Sequence, residues 1–142
     1  MTDTIADASR RRALVEVHYA VENRHDLGAI MQTFAARGVM RYNHVPFTDA
    51  ASISAAHAYM GFSAAGAFAA LRTVIDHHHL TTDEIVIEGR LSGRHVGEFR
   101  GFAASGRDVE LPFVAFYRFD GDGKLASERV VMNLGPLAQT GD

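Results

Sequence analysis

Residues 88–133 read EGRLSGRHVGEFRGFAASGRDVELPFVAFYRFDGDGKLASERVVMN. Strands are expected at about Glu84–Ser92, Val109–Phe119 and Leu125–Met132, because each segment is rich in β-branched or aromatic residues and glycine-bearing turns separate them. The turns are Ser105-Gly106-Arg107 and Asp122-Gly123-Lys124-Leu125. Asp120-Gly121-Asp122-Gly123 lacks the remaining ligands of a twelve-residue calcium loop and reads as a hairpin turn.

Upstream, the spacing changes from two to about 3.6 residues. Leu14, His18 and Val21 recur at helical spacing, with Asp7 or Ser9 as cap and an end near Asn23. Asp26 caps a second helix carrying Leu27, Ile30, Met31 and Phe34, and Gly38 is its expected stop. Val39–Val45 reads as a strand ended by Pro46, with Met40, Tyr42 and His44 on one face. Residues 47–61 suit a short helix around Ile53 that acts as a mobile cover. Ser63 is the expected cap of a third helix using Phe68 and Leu71, followed by a strand over Val74–Leu80 and, at the far end, a short helix over Pro136–Gln139. Helices followed by antiparallel strands indicate an α+β domain with helices on one face of a curved sheet.

Length and composition narrow the function. A chain of 142 residues accommodates one domain, 1–142. No apolar run approaches the roughly 20 residues needed to span a bilayer, and the first residues lack a continuous apolar signal segment, so a cytoplasmic protein is expected. A net charge of −3 with interspersed signs offers little attraction to phosphate backbones or anionic lipid, so neither nucleic acid nor membrane is an expected partner. The absence of cysteine excludes disulfides and thiol nucleophiles. No phosphate-binding glycine loop or Gly-x-Ser-x-Gly elbow is present.

The run Gly93-Arg94-His95-Val96-Gly97-Glu98-Phe99-Arg100-Gly101, the two turns and the Glu128–Asn133 strand resemble the C-terminal half of SnoaL-like polyketide cyclases, in the nuclear transport factor two-like superfamily. His44-Val45-Pro46 is similar to the His-x-Pro that follows the first strand in such proteins. The resemblance implies a cone-shaped, curved antiparallel sheet with helices packed on its concave face and a pocket between them. It implies a small, largely apolar molecule as partner and no cofactor. It also implies that Asn133 stands where relatives carry an acid/base aspartate. An amide has no proton to exchange near neutrality, so Asn133 either anchors an oxygen in the pocket or simply ends its strand.

Histidine is the natural replacement base, with an unperturbed pKa of about 6.5. His44 shares a strand face with Tyr42; it serves either as base or as a strand-end hydrogen bonder. Asp76-His77-His78-His79 offers a second set: His78 and Asp76 share one face as an acid/base pair, and His77 and His79 share the other at roughly 7 Å. A His-x-His pair is half of a zinc site, but spacing marks no third ligand, so no metal is expected. Glu88 and Arg129 form either a substrate-positioning ion pair or a solvated cross-strand pair. Phe34, Phe62, Phe68, Phe113 and Tyr117 are candidate apolar lining, and Tyr42 a holder of a substrate oxygen.

These residues suit cofactor-free acid/base chemistry, such as cyclisation, isomerisation or dehydration, next to a carbonyl or hydroxyl. The alternative is a non-catalytic binding or interaction domain. The strand Val109–Phe119 is apolar on both faces, which calls for a second cover and predicts a homodimer through the sheet.

Overall fold

The computed structural model describes residues 5–138. Its elements are α1 (Ile5–Asn23), α2 (Leu27–Gln32), β1 (Phe34–Tyr42), β2 (Val45–Phe47), α3 (Ala50–Met60), β3 (Phe68–Leu80), β4 (Glu84–His95), β5 (Asp108–Phe119) and β6 (Leu125–Met132), closed by a 3-10 turn over Gly135–Ala138. The six strands form one curved, unclosed sheet in the order β2-β1-β6-β5-β4-β3. All neighbours are antiparallel except β1 and β6, which run parallel. The α+β class and the curved sheet match expectation, while the parallel β1–β6 pair is a departure from the expected antiparallel order.

The inner face of the sheet follows from side-chain alternation. It carries Ile85, Ile87 and Leu91 of β4, Leu111, Phe113, Ala115 and Tyr117 of β5, and Glu128, Val130 and Met132 of β6, all buried. Val15 and Tyr19 of α1, Ile30 of α2, and Ile53 and Met60 of α3 complete the core. At Gly89 the strands approach so closely that a Cβ would lie 2.5 Å from the Val74 carbonyl oxygen and 2.8 Å from the Phe113 ring. Only glycine fits there.

Several element boundaries differ from expectation. α1 reaches back to Ile5, so Asp7 and Ser9 lie inside it and Asp7 pairs with Arg10 in the first turn. α2 starts as expected, with Asp26 accepting from the Ala29 amide at 3.1 Å, but stops at Gln32. Thr33 ends it by donating its hydroxyl to the Ile30 carbonyl at 2.6 Å, and Phe34 enters the sheet opposite Leu125. Gly38 is therefore not a helix stop. It permits the close parallel approach of β1 to β6, since a Cβ there would meet the Leu125 carbonyl oxygen at 3.0 Å.

Pro46 does not end a strand but sits within β2, opposite Arg41 on the sheet edge, where its missing amide hydrogen costs no ladder bond. The segment 47–61 contains α3, fixed by a capping box between Asp49 and Ser52. No third helix follows Ser63, because Phe68 and Leu71 belong to β3. A bulge between Ala69 and Arg72, with Ala70 at φ +52°, places both side chains in the core although they are three apart, a spacing that mimics a helix. The expected last helix is the 3-10 turn, and Gln139 lies outside the described residues.

Candidate functional site

Helix α1 presents His18, Tyr19 and Glu22 on one stripe, α3 presents His57, and the inner face of the sheet presents Thr73, Tyr117 and Glu128. All seven are buried. With Met40, Tyr42, Met60, Phe62, Leu91, Phe113 and Val130, all of these except His18 line one hollow. The hollow is narrow: a water's centre has only about 20 Å3 to move in, about enough for one ordered water. A guest larger than a water needs the lining side chains to move.

Donor and acceptor rules fix most of the protons. Thr33 gives its hydroxyl hydrogen to the Ile30 carbonyl, so its Oγ1 accepts from His18 Nδ1 at 2.8 Å. His18 Nε2 then lies 3.1 Å from Glu22 Oε2 and 3.4 Å from Glu128 Oε2, with hydrogen-bond geometry to neither. Between two carboxylates this ring is an imidazolium. Burial alone would lower its pKa, but Glu22 and then Glu128 outweigh burial and raise it to about 10. Glu22 is driven the opposite way: burial favours its acid form, yet His18 and His57 hold it down at about 2. Its Oε1 accepts from the Thr73 hydroxyl at 3.0 Å.

Tyr117 donates to Glu128 Oε2 at 2.6 Å, so the 2.5 Å contact between the Tyr19 and Tyr117 hydroxyls has Tyr19 as donor. Burial, with the nearby carboxylates, raises Tyr19, Tyr42 and Tyr117 well above the usual phenol range and keeps all three as phenols. Glu128 Oε1 has no hydrogen-bond partner. On α3, His57 Nδ1 meets the Ile53 carbonyl at 2.9 Å and must donate to it. Its Nε2, 3.5 Å from Glu22 Oε2, is therefore the ring nitrogen nearest the carboxylate. The arrangement combines a carboxylate oxygen without a hydrogen-bond partner among the described residues, an imidazole nitrogen near Glu22 and a pair of linked phenols, beside apolar side chains.

The residues singled out from sequence are distributed over several surfaces. Tyr42, Phe62, Phe113 and Tyr117 line the hollow. Phe34 lies behind it, edge-on to His18 and His57. Phe68 is buried elsewhere, stacked on His95 with ring centroids 5.3 Å apart. His44 is in an exposed turn, because Asn43 adopts φ +53° and breaks the alternation that would align His44 with Tyr42.

His78 lies half-buried outside the hollow, and burial lowers its pKa. It does not pair with Asp76. A bulge between Ile75 and His77 leaves Asp76 unregistered, and Asp76 receives two bonds from Arg90 at 3.0 Å each. His77 and His79 do share a face, with ring centroids 6.4 Å apart, and His79 meets Glu88 at 2.5 Å. Arg129 lies over the Phe116 ring at 4.2 Å, so Glu88 and Arg129 have separate partners. Asn133 is exposed, its Oδ1 accepting from the Gly135 amide at 2.9 Å.

Sequence reading missed His18 as a site residue, along with Tyr19, Glu22, His57 and Glu128. A signal existed for two of them: His18 and Glu22 are four apart on the otherwise apolar stripe of α1, where a charged residue has no reason to sit unless it is paired. Glu128 shares its strand face with Val130 and Met132, whereas Asn133 shares the outer face with Arg129.

The family model for SnoaL-like polyketide cyclases matches residues 11–140. The chain belongs to this family. The domain is similar in fold to a candidate SnoaL-like polyketide cyclase from Jannaschia sp. CCS1, with 19% identity, 97% of this chain and 95% of that one covered, and a TM-score of 0.82. It is similar to AclR, a candidate hydroxylase from Streptomyces galilaeus, with 24% identity, coverage of 95% and 89%, and a TM-score of 0.76. It also resembles SalBIII, an epoxide hydrolase/cyclase-like enzyme with a role in pyran ring formation in the polyether salinomycin, with 13% identity, coverage of 90% and 94%, and a TM-score of 0.74. At these identities the likeness establishes a shared fold. No curated protein matches the chain. Among the described residues, no helix is long and apolar enough to cross a membrane.

Proposed function

We propose that this SnoaL-like domain catalyses cofactor-free proton transfer on a small, largely apolar carbonyl or hydroxyl compound, in a cyclisation, isomerisation or dehydration. The observation that carries the reading is Glu128 Oε1, a buried carboxylate oxygen of a residue that lines the hollow, without a hydrogen-bond partner among the described residues. Buried acceptors are almost always satisfied, so an open one in a cavity marks the place of a missing donor. Glu128 Oε1 takes a proton from carbon beside a carbonyl. The C–H electron pair moves into the new C=C bond, and His57 Nε2, when protonated, delivers a proton to the carbonyl oxygen. Tyr117 holds the other Glu128 oxygen in place, and His18 supplies the fixed positive charge that lets two carboxylates coexist. Tyr42, Phe62 and Phe113 grip the apolar part of the substrate.

The test is deuterium exchange from enolisable apolar ketones by metal-free protein. Wild-type protein exchanges, and Glu128→Gln, which keeps an oxygen for Tyr117 to bond, loses roughly 10²–10⁴-fold. Equal exchange by both overturns the assignment of Glu128. A wild type that binds such ketones without exchanging them makes the domain a binder.

A further inference from the structure

We propose that His18, Glu22 and His57 also form a site for a divalent transition metal of the zinc class, its open coordination position facing the hollow. The three ligand atoms all lie within 4.8 Å of one another. His18 Nε2 is 3.1 Å from Glu22 Oε2, and His57 Nε2 is 3.5 Å from the same oxygen. A tetrahedral ion with bonds of about 2.0–2.1 Å spaces its ligands at about 3.3–3.4 Å. These two edges bracket that value without any metal bound.

The outer contacts match as well. Metal-binding histidines use the far ring nitrogen to hold their orientation, and both rings do so here: His18 Nδ1 donates to Thr33 Oγ1, and His57 Nδ1 donates to the Ile53 carbonyl. Glu22 is oriented by Thr73 through the oxygen that faces away from the histidines. One of the three ligand atoms, His18 Nε2, and the neighbouring Glu128 Oε1 are buried without hydrogen bonds among the described residues. His18 lies behind Glu22 and His57, which line the hollow, so the fourth position of a metal held by all three opens inward. Two imidazoles and a carboxylate favour zinc, cobalt or nickel over calcium or magnesium. Sequence reading, which weighed only the His77 and His79 pair, expected no metal anywhere in the protein; a site at His18, Glu22 and His57 departs from that expectation with a different set of residues.

This inference goes beyond the acid/base reading and does not depend on it. A metal displaces the proton on His18 Nε2 and occupies His57 Nε2, so a loaded molecule cannot use that nitrogen to move protons. Co2+ added to metal-free protein gives the visible bands of a tetrahedral centre at one ion per chain, and His57→Phe and Glu22→Gln each abolish them. Zn2+ followed by NMR of labelled histidine rings, in wild-type protein, shifts His18 and His57 and leaves His77 and His79 unmoved. Lack of Co2+ uptake by the wild type overturns the site. Bands that survive both substitutions, or that vanish in His77→Ala/His79→Ala, do the same. If either interior variant fails to fold, the ring shifts decide: movement of His77 and His79 alone, or of no histidine, overturns it. Failure of ketone exchange in metal-free protein bears only on the acid/base reading.

Discussion

Tyr117 and Glu128 sit directly opposite each other on β5 and β6, and the phenol donates to one carboxylate oxygen at 2.6 Å while the other has no partner. Register and chemistry meet at this pair. Alternation turns both side chains inward, so the sheet itself sets the position of the carboxylate.

Removal of the phenol hydroxyl tests how much the carboxylate depends on it. Tyr117→Phe leaves the apolar packing of the ring in place but takes from Glu128 Oε2 the hydroxyl that donates to it at 2.6 Å. A buried acceptor left unpaired costs about 1–3 kcal/mol, and more if charged. Urea unfolding of the variant is expected to show a loss at or above the upper end of that range, with an unchanged denaturant slope. A loss well below it means that water or His18 replaces the phenol.

Stability should depend on pH at both ends of the range. His18 has a folded pKa raised from 6.5 to about 10, so its contribution is complete below about 6.5 and is lost as pH rises toward 10. Glu22 is lowered from 4.5 to about 2, so its contribution is complete above about 4.5 and is lost as pH falls toward 2. Urea midpoints should therefore be highest near pH 4.5–6.5 and decline on both sides. Midpoints that stay flat from pH 6.5 to 10 rule out an imidazolium at His18.

Asn133→Asp separates the resemblance from the geometry. The side chain is exposed and accepts from the Gly135 amide, a bond an aspartate also makes. Folding, stability and ketone exchange should all equal wild type. A gain of exchange shows that residue 133 reaches the substrate.

The parts of the fold read correctly from sequence are those where local chemistry and tertiary packing agree. β5 alternates, β6 alternates from Glu128 to Met132, Asp26 caps α2, and α1 ends at Asn23. The errors arose where a bulge or a side chain overrides a period. Thr33 stops α2 although Phe34 continues its spacing. The bulge at Ala70 gives strand residues a helical interval, and the bulge at Asp76 separates it from His78. The site was hidden for a different reason. His18 and Glu22, His57, and Glu128 come from α1, α3 and β6, and no sequence interval links them. Two parts were within reach: the His18 and Glu22 pair, four apart on α1, and the inward face of β6, where Val130 and Met132 accompany Glu128 while Arg129 faces out.

The outer face of the sheet supplies the last prediction. Val114 and Phe116 of β5 are half-buried there, Val131 of β6 is 50% exposed and Val39 of β1 is 40% exposed. Helices cover only the inner face, and an apolar outer face left in water favours association. Arg129 partly shields Phe116 by lying over its ring, but it leaves Val131 and Val39 bare. A symmetric pairing of two such faces covers these residues at once, and two-fold dimers are the commonest soluble assembly. Sedimentation at micromolar concentration is expected to give twice the 15.5 kDa chain mass. Val131→Glu places two carboxylates in a self-paired surface and should shift the protein toward monomer without altering its circular dichroism. A wild type that sediments as monomer shows that Arg129 and its neighbours shield the face well enough alone.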